Sequence, residues 1–310
     1  MRIVLVDQSR TIVRIVSELV QADAHEVLGF TDGRKALACL ESDPEVRALI
    51  TSVQLDSISG LELCAAARQF AGTRRPLYVM LMSSSDDRDM IVRALDRGAD
   101  DFIDKPPDVE ELRARLRVAD RVTFMQHELI RYGTLDCLSE LLNRREFFQR
   151  AADAQKRAAR GAPLSAIMLD IDHFKSVNDL HGHEAGDRAI VAVAAHVKVF
   201  GGIAGRLGGE EFCLLLKDDL FGARTMAEDL RKAIGAMRFE LGDVVIRVTA
   251  SFGVAQWQGG ETIDGLLRRA DMALYEAKNA GRNCVIAAQA DADVPPPQWR
   301  SVVRARGGRG

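Results

Sequence analysis

Two acidic segments in the second half of the chain carry residue types that suit phosphoryl-transfer chemistry. Asp170 lies near the end of an apolar run, Ser165–Ile171, that has the composition of a buried strand. Carboxylates at a strand end of an α/β fold lie where such folds present ligands, and they suit a hard cation such as Mg²⁺. The second segment, Arg206–Phe212, contains two adjacent glycines, a strong signal for a hairpin turn in which both adopt positive φ. We therefore expect Glu210, directly after the glycines, to reach the same metal as Asp170.

A zinc site is the competing interpretation of this region, because two histidines lie close together. His181 and His183 flank a glycine, but no cysteine and no third histidine stands at ligand spacing. We therefore interpret His183 as structural.

These segments belong to a longer set of motifs that resembles the GGDEF family of diguanylate cyclases, in its GGEEF form. The blocks occur in family order and are similar to DxLTGLxNRR, DIDxFKxxND, GHxxGD, RxGGEEF and ADxALYxAKxxGRN, at Asp136–Arg145, Asp170–Asp179, Gly182–Asp187, Arg206–Phe212 and Ala270–Asn283. The resemblance implies an α/β nucleotidyl-cyclase-like domain. It also implies an enzyme that, as a homodimer, condenses two GTP into cyclic di-GMP and two pyrophosphates.

The resemblance also implies a role for individual residues. Asp170 and Glu210 would bind Mg²⁺ or Mn²⁺ together with the Ile171 carbonyl, and both would be catalytic, as would Lys175. Substrate phosphates would be held by backbone amides near His173, Phe174 and Lys175 and by the side chains of Lys278 and Arg282. The last two are four residues apart, which on a helix is one turn.

Asn178 and Asp187 resemble the pair that recognises guanine in this family. A carboxylate accepts hydrogen bonds from the N1–H and N2–H₂ edge of guanine, whereas adenine offers no such pair of donors. Leaving a buried polar group unsatisfied costs a few kcal/mol, so the pair favours GTP over ATP. We expect GTP to be the only physiological substrate.

Two departures from the family pattern bear on function. Ser139-Glu140 replaces the usual Thr-Gly, which affects only local turn geometry. Val199–Gly202 occupies the place of the RxxD motif and has neither its arginine nor its aspartate. We therefore expect feedback inhibition by cyclic di-GMP through that site to be absent or weak.

The first 120 residues alternate short apolar runs with amphipathic stretches, which predicts a doubly wound parallel α/β sheet. They resemble a response-regulator receiver domain that has kept only remnants of its phosphorylation pocket, at Asp7, Ser52, Ser83 and Lys105. In that family the phosphoacceptor aspartate lies eight residues before a glycine, and counting back from Gly60 reaches Ser52. We therefore predict a receiver domain that is not phosphorylated and that serves dimerisation or the docking of a regulatory protein. A phosphorylation-switched cyclase is the alternative, and Ser52 conflicts with it.

We predict four regions: the receiver-like domain 1–120, a helical linker 121–134, the cyclase domain 135–288 and a disordered tail 289–310. Apolar residues follow heptad spacing near the linker, at Val118, Val122, Met125, Leu129 and Tyr132. Two interpretations stay open: a final helix that packs on its own domain, and a stalk that pairs with a second copy.

Composition excludes several other functions. The 42 basic and 45 acidic residues leave a net charge of −3, unlike a protein that coats nucleic acid or binds membranes through basic clusters. No apolar run is long enough for a transmembrane helix, and the start lacks the pattern of a signal peptide. Five scattered cysteines indicate reduced thiols in a cytoplasmic protein. The rival from another class is a catalytically silent scaffold or nucleotide receptor.

Overall fold

The computed structural model describes residues 1–72, 75–84, 88–241 and 244–289. The chain divides between Arg131 and Tyr132 into two compact units, and this division falls inside the predicted linker. Most of the predicted tail lies outside the described residues. No helix within the described ranges is both long and apolar enough to cross a membrane.

The N-terminal unit is a five-stranded parallel sheet of order β2-β1-β3-β4-β5. Its strands are β1 (Arg2–Val6), β2 (Glu26–Phe30), β3 (Val46–Ser52), β4 (Tyr78–Ser83) and β5 (Asp101–Asp104). Its helices are α1 (Arg10–Gln21), α2 (Gly33–Ser42), α3 (Gly60–Ala71), α4 (Arg88–Asp96) and α5 (Val109–Thr134). Because successive side chains of a strand point to opposite faces, alternate apolar residues supply two cores. One core packs on α2, α3 and α4 and the other on α1 and α5, which confirms the predicted doubly wound fold.

Helix α5 carries two different apolar faces. Leu112, Leu116 and Ala119 are buried in the core of the N-terminal unit. Beyond them the predicted heptad residues Met125 and Leu129 are 57% and 70% exposed. The helix therefore packs on the core of the N-terminal unit as far as Val122 and Thr123, and most of its apolar residues beyond them are exposed.

The second unit is built on a five-stranded mixed sheet of order β12-β11-β6-β8-β7 and a separate two-stranded ribbon, β9-β10. The strands are β6 (Ser165–Ile171), β7 (Ile203–Gly208), β8 (Glu211–Leu216), β9 (Phe239–Leu241), β10 (Val244–Ile246), β11 (Ala250–Gln256) and β12 (Val285–Ala287). The helices are α6 (Arg144–Ala158), α7 (Phe174–His181), α8 (His183–Phe200), α9 (Leu220–Ala236) and α10 (Ile263–Asn279). Helices α8 and α9 cover one face of the sheet, and α6 and α10 cover the other.

One apolar run of this unit contains two strands that belong to different sheets. The apolar run Val244–Ala255 suggests a single strand, but β10 pairs with the ribbon and β11 with the main sheet. Between the two strands, the Thr249 carbonyl accepts a hydrogen bond from the Asp172 amide at 2.8 Å. The chain therefore changes sheets inside a continuous run of strand-forming residues, which composition alone does not reveal.

Candidate active site and receiver pocket

Asp170 lies at the end of β6, on the face of the sheet that α10 covers. It pairs across the antiparallel ladder with Glu211, the first residue of β8. The tight turn before β8 consists of Gly209, with a φ of 49°, and Glu210, so Glu210 lies in the turn itself. The Ile171 amide donates to the Glu210 carbonyl at 3.4 Å. The hairpin therefore brings Glu210 beside Asp170 and Ile171, although Gly208 ends β7 and is not one of the residues with positive φ.

Lys278 completes this cluster from α10. Its Nζ lies 2.9 Å from Asp170 Oδ2. Helix α10 comes this close to the sheet because of Gly253 on β11: a Cβ there would lie 2.0 Å from the Ala270 carbonyl oxygen and 2.2 Å from the Leu274 nitrogen. A side chain at this position would push the helix, and Lys278 with it, away from the strand end.

The cluster contains more carboxylates than positively charged side chains. Burial raises the pKa of Asp170 to about 6, with Lys278 acting in the opposite direction and the charge of Glu210 adding to the rise. Burial also raises the pKa of Glu211, and the negative charges of Asp170 and Asp271 add to that rise. Burial likewise raises the pKa of Asp271 on α10. One lysine thus stands among four carboxylates, and like charges directly opposite on a ladder cost stability. Sequence motifs alone gave no role to Glu211 or Asp271, because their proximity depends on strand register.

Arg282 does not lie on the helix of Lys278, so the prediction that the two are one helical turn apart was wrong. Helix α10 ends at Asn279, and Gly281, Arg282 and Asn283 follow with φ values of 111°, 66° and 44°. The Arg282 amide donates to the Ala277 carbonyl at 3.1 Å. The arginine is therefore presented by a left-handed loop, whose conformation the spacing of four residues does not reveal.

The predicted guanine-recognition residues lie on two neighbouring helices. Asn178 on α7 packs against Gly186 in the first turn of α8, where a Cβ would lie 2.0 Å from Asn178 Oδ1 and 3.0 Å from Phe174 Cζ. Asp187 follows this glycine and is exposed. Asn178 Oδ1 is buried and has no hydrogen-bond partner within the described part of the chain. An unsatisfied buried acceptor beside an exposed carboxylate suits a polar ligand.

The N-terminus of α7 faces the same strand end through its short connection to β6. His173 adopts a left-handed conformation, with a φ of 55°, and among the described residues no side chain caps the helix. The first amides of a helix have no partner inside the helix, so those of Phe174 and Lys175 are available to an anion. The Lys175 side chain is exposed, and no described contact links it to Asp170.

Asp136 and Arg206 brace the hairpin turn, a role that the motif match did not assign. Arg206 donates from Nε to the Gly209 carbonyl at 2.8 Å and from Nη1 to Asp136 Oδ1 at 2.9 Å. Ser139 donates to the same Asp136 oxygen from its amide and its hydroxyl, each at 2.8 Å. Ser139 thus preserves a turn that ties the start of the second unit to the residue preceding Glu210.

A different polar cluster occupies the carboxyl edge of the parallel sheet in the first unit. Asp7 is fully buried, and its Oδ1 accepts from the Ser9 amide at 2.8 Å. Lys105 forms an ion pair with Asp7 and donates to Ser52 Oγ at 3.1 Å. Ser83 is also buried at the end of β4. The structure therefore brings the four predicted residues to one edge, with the lysine bridging Asp7 and Ser52.

Comparisons with known proteins match both domains of the chain. The family model described as "Diguanylate cyclase, GGDEF domain" matches residues 133–284, and "Response regulator receiver domain" matches residues 3–117. The solved coiled coil and GGDEF domain of DgcB from Caulobacter crescentus, in complex with c-di-GMP, is 30% identical with a TM-score of 0.53. It covers 58% of this chain and 98% of that one. Diguanylate cyclase SiaD from Pseudomonas aeruginosa, solved with its activator SiaC, is 35% identical with a TM-score of 0.50, over 58% and 73% of the two chains. The chain belongs to the GGDEF family.

Curated relatives of this GGDEF protein match it over different lengths. Response regulator PleD from Caulobacter vibrioides (strain NA1000 / CB15N) is 35% identical over 272 residues, which are 80% of this chain and 60% of PleD. Diguanylate cyclase DgcM from Escherichia coli (strain K12) is 40% identical over 158 residues, 49% of this chain and 38% of DgcM. The alignment with PleD is long enough to include most of both domains of this chain.

The GGDEF strand end fits a hard divalent cation. In the described residues, no three side chains of histidine, cysteine, aspartate or glutamate are arranged as a ready-made metal site. Asp170 and Glu210 would therefore bind the ion with the Ile171 carbonyl, and the remaining ligands would be substrate phosphate and water. Mg²⁺ accepts such a shell, because it commonly keeps several waters and binds few protein carboxylates. The excess of carboxylates over lysine at this edge also favours a cation.

Proposed function

We propose that this GGDEF protein is a diguanylate cyclase that condenses two GTP into cyclic di-GMP and two pyrophosphates. The observation that carries the proposal is the cluster at the β6 strand end, where Asp170, Glu210 and Lys278 meet. Names of relatives support it, since DgcM and SiaD are both described as diguanylate cyclases.

In this mechanism the 3′-hydroxyl of one GTP attacks the α-phosphorus of the other, and pyrophosphate leaves. Glu210 would accept the hydroxyl proton, while Lys278 and Arg282 would hold the β- and γ-phosphates that depart. Bound Mg²⁺ or Mn²⁺ would neutralise charge on the transferring phosphoryl group. The amides of Phe174 and Lys175 would add hydrogen-bond donors to the phosphate cradle. The Lys175 side chain stays a predicted catalytic residue.

Selection of GTP would rest on Asn178 and Asp187. The buried, unsatisfied Oδ1 of Asn178 is an acceptor that lies against Gly186 on α8, next to the exposed Asp187. An acceptor pair of this kind discriminates strongly, because a base without the matching donors leaves polar groups unpaired.

Activity requires two copies, because each GGDEF domain would hold one GTP and the two must face each other. We propose that α5 supplies the contact, since Met125 and Leu129 form part of an exposed apolar stripe with heptad spacing. The solved relative DgcB is described as a coiled coil with a GGDEF domain, which supports a helical stalk.

We propose that the receiver domain is not phosphorylated. Ser52 stands at the end of β3 in the position of the acceptor, and Lys105 already bridges it to Asp7. With one carboxylate and one lysine, this pocket has balanced charge and binds Mg²⁺ poorly. We propose that the domain instead stabilises the dimer or binds a regulatory protein.

Absent or weak product inhibition is expected from the segment at the end of α8, Val199–Gly202. Val199 is 84% exposed, and Gly201 and Gly202 both have positive φ. This stretch offers no guanidinium and no carboxylate to a cyclic dinucleotide. A cytoplasmic location stays a prediction that rests on the five free cysteines.

The proposal is tested by incubating purified protein with Mg²⁺ and either GTP or ATP, and identifying the products by mass. We expect cyclic di-GMP and pyrophosphate from GTP and no cyclic product from ATP. Nucleotide binding without turnover in a protein of dimeric mass would instead indicate a receptor or scaffold.

A further inference from the structure

The carboxylate of Asp172 connects three parts of the GGDEF site that are far apart in sequence. Asp172 is 5% exposed and follows β6 directly. Its Oδ1 accepts from Ser251 Oγ at 2.6 Å, and its Oδ2 accepts from Thr249 Oγ1 at 2.7 Å and from the Asn283 amide at 3.0 Å. One buried side chain therefore binds the start of β11 and the loop after α10.

The Asn283 amide is the contact with functional consequences, because it adjoins Arg282. Both residues have positive φ, a conformation that is common for asparagine but costs free energy for an arginine unless surrounding contacts stabilise it. On the other side of the loop, Arg231 Nη1 donates to Asn283 Oδ1 at 2.9 Å and to its carbonyl at 3.3 Å. The loop is thus held from two sides, and Asp172 supplies the charged acceptor.

We infer that Asp172 is a positioning residue that fixes the backbone of Arg282, so that its guanidinium is presented to the β- and γ-phosphates of GTP. This inference rests on the proposed function and adds to it a residue that the reaction itself does not touch. Hydrogen bonds to a charged acceptor are stronger than neutral ones, and hydroxyl groups can rotate to suit an amide whereas the Asn283 N–H cannot. Replacing the carboxylate by an amide removes the negative charge that strengthens the hydrogen bond from the Asn283 N–H, so the Arg282 loop should loosen while both hydroxyl contacts are kept.

The test is a double-mutant cycle on the full chain with Asp172→Asn, Arg282→Ala and the combination of both. The probe is 3′-deoxy-GTP with Mg²⁺, which lacks the attacking hydroxyl and so reports binding without turnover. We expect Asp172→Asn to weaken binding about tenfold. In the Arg282→Ala background, the same change should weaken binding less than about twofold, because residues that act as one unit are not additive. Asp153→Asn, an exposed carboxylate on α6, is the matched control and should bind as wild type.

Each outcome separates the inference from the proposed function. Equal losses in both backgrounds would overturn the inference, since a merely structural carboxylate weakens binding whether or not Arg282 is present. An unchanged affinity in the Asp172→Asn variant would overturn it as well. Wild type that binds 3′-deoxy-GTP but makes no cyclic di-GMP from GTP would overturn the proposed function alone. Wild type that does not bind the probe would overturn both.

Discussion

Each half of this chain places an aspartate and a lysine at the end of a central strand, but the two clusters differ in charge balance. In the receiver domain Lys105 neutralises the only buried carboxylate of the described pocket, Asp7, and also contacts Ser52. In the GGDEF domain Lys278 stands among four carboxylates, and the pKa of Asp170 is raised to about 6. We propose that the first arrangement is complete without a ligand, whereas the second favours the binding of a cation. On this proposal, a strand-end site has lost its function in one domain and kept it in the other.

The largest expected effect comes from removing the charge of Asp170. Asp170→Asn should lower cyclic di-GMP production about a thousandfold, because the substitution removes a metal ligand and a fixed charge beside the reacting phosphate. The measurement is the initial rate with GTP and Mg²⁺. Asp229→Asn, a carboxylate on the exposed side of α9, should keep the wild-type rate. A loss of less than tenfold in Asp170→Asn would contradict the role of Asp170.

Removing the lysine should have different effects on stability in the two clusters. Lys105→Ala leaves Asp7 buried and unpaired, and we expect the N-terminal unit to lose about 3–5 kcal/mol of unfolding free energy. Hydrogen exchange of the β1 and β3 amides would measure it, and added Mg²⁺ should not restore it. Lys278→Ala should raise the pKa of Asp170 further, since Lys278 lowers it. Mg²⁺ should restore any unfolding free energy that the Lys278→Ala variant loses. If Mg²⁺ also restored the stability of Lys105→Ala, the proposed difference in charge balance between the two clusters would be contradicted.

Metal binding to the GGDEF site should depend on pH in a defined direction. Burial raises the pKa of Asp170 to about 6, so the carboxyl is protonated below this pH and must release its proton before it can bind a cation. The dissociation constant for Mg²⁺ should therefore increase about tenfold for each pH unit below 6, and stay level above it. Calorimetric titration from pH 5 to 8 would show this. In Asp170→Asn the same slope should be missing.

We expect a substitution on the exposed stripe of α5 to have the smallest effect on folding. The same substitution should change the assembly of the dimer. Leu129 is 70% exposed, so Leu129→Lys should change the free energy of unfolding by less than about 0.5 kcal/mol. It should nevertheless shift the protein towards the monomer and lower its specific activity in proportion. Sedimentation at several concentrations measures the first and the product assay the second. Phe221→Lys, on an exposed position of α9, is the control, and a dimer unaffected by Leu129→Lys would contradict the stalk.

The parts of the site that could be predicted from sequence are those whose geometry is local. Asp170 lies at the end of a strand whose apolar run is unambiguous, and Glu210 lies in the tight turn that the adjacent glycines indicate. The residues of the receiver pocket could be predicted from the resemblance to receiver domains, and the parallel sheet brings them together because its strands have their carboxyl ends at one edge.

The remaining parts depend on register and on chain breaks that composition does not show. Glu211 and Asp271 join the site only through the pairing of β6 with β8 and the close approach of α10 to Gly253. Arg282 leaves the helix because Gly281 begins a left-handed loop, which Asp172 then holds. A helix continued through Arg282 is the simpler prediction from spacing, and tertiary contacts override it.

The most direct test measures cyclic di-GMP from GTP and Mg²⁺ in wild type and in Glu210→Gln, each with and without acetyl phosphate, alongside the mass of the protein. We expect turnover from an untreated wild-type dimer, its near-complete loss in Glu210→Gln, and neither activation nor covalent labelling by acetyl phosphate. No turnover from a confirmed dimer, or a phosphorylated receiver that switches activity on, would contradict an active GGDEF site joined to a closed receiver pocket.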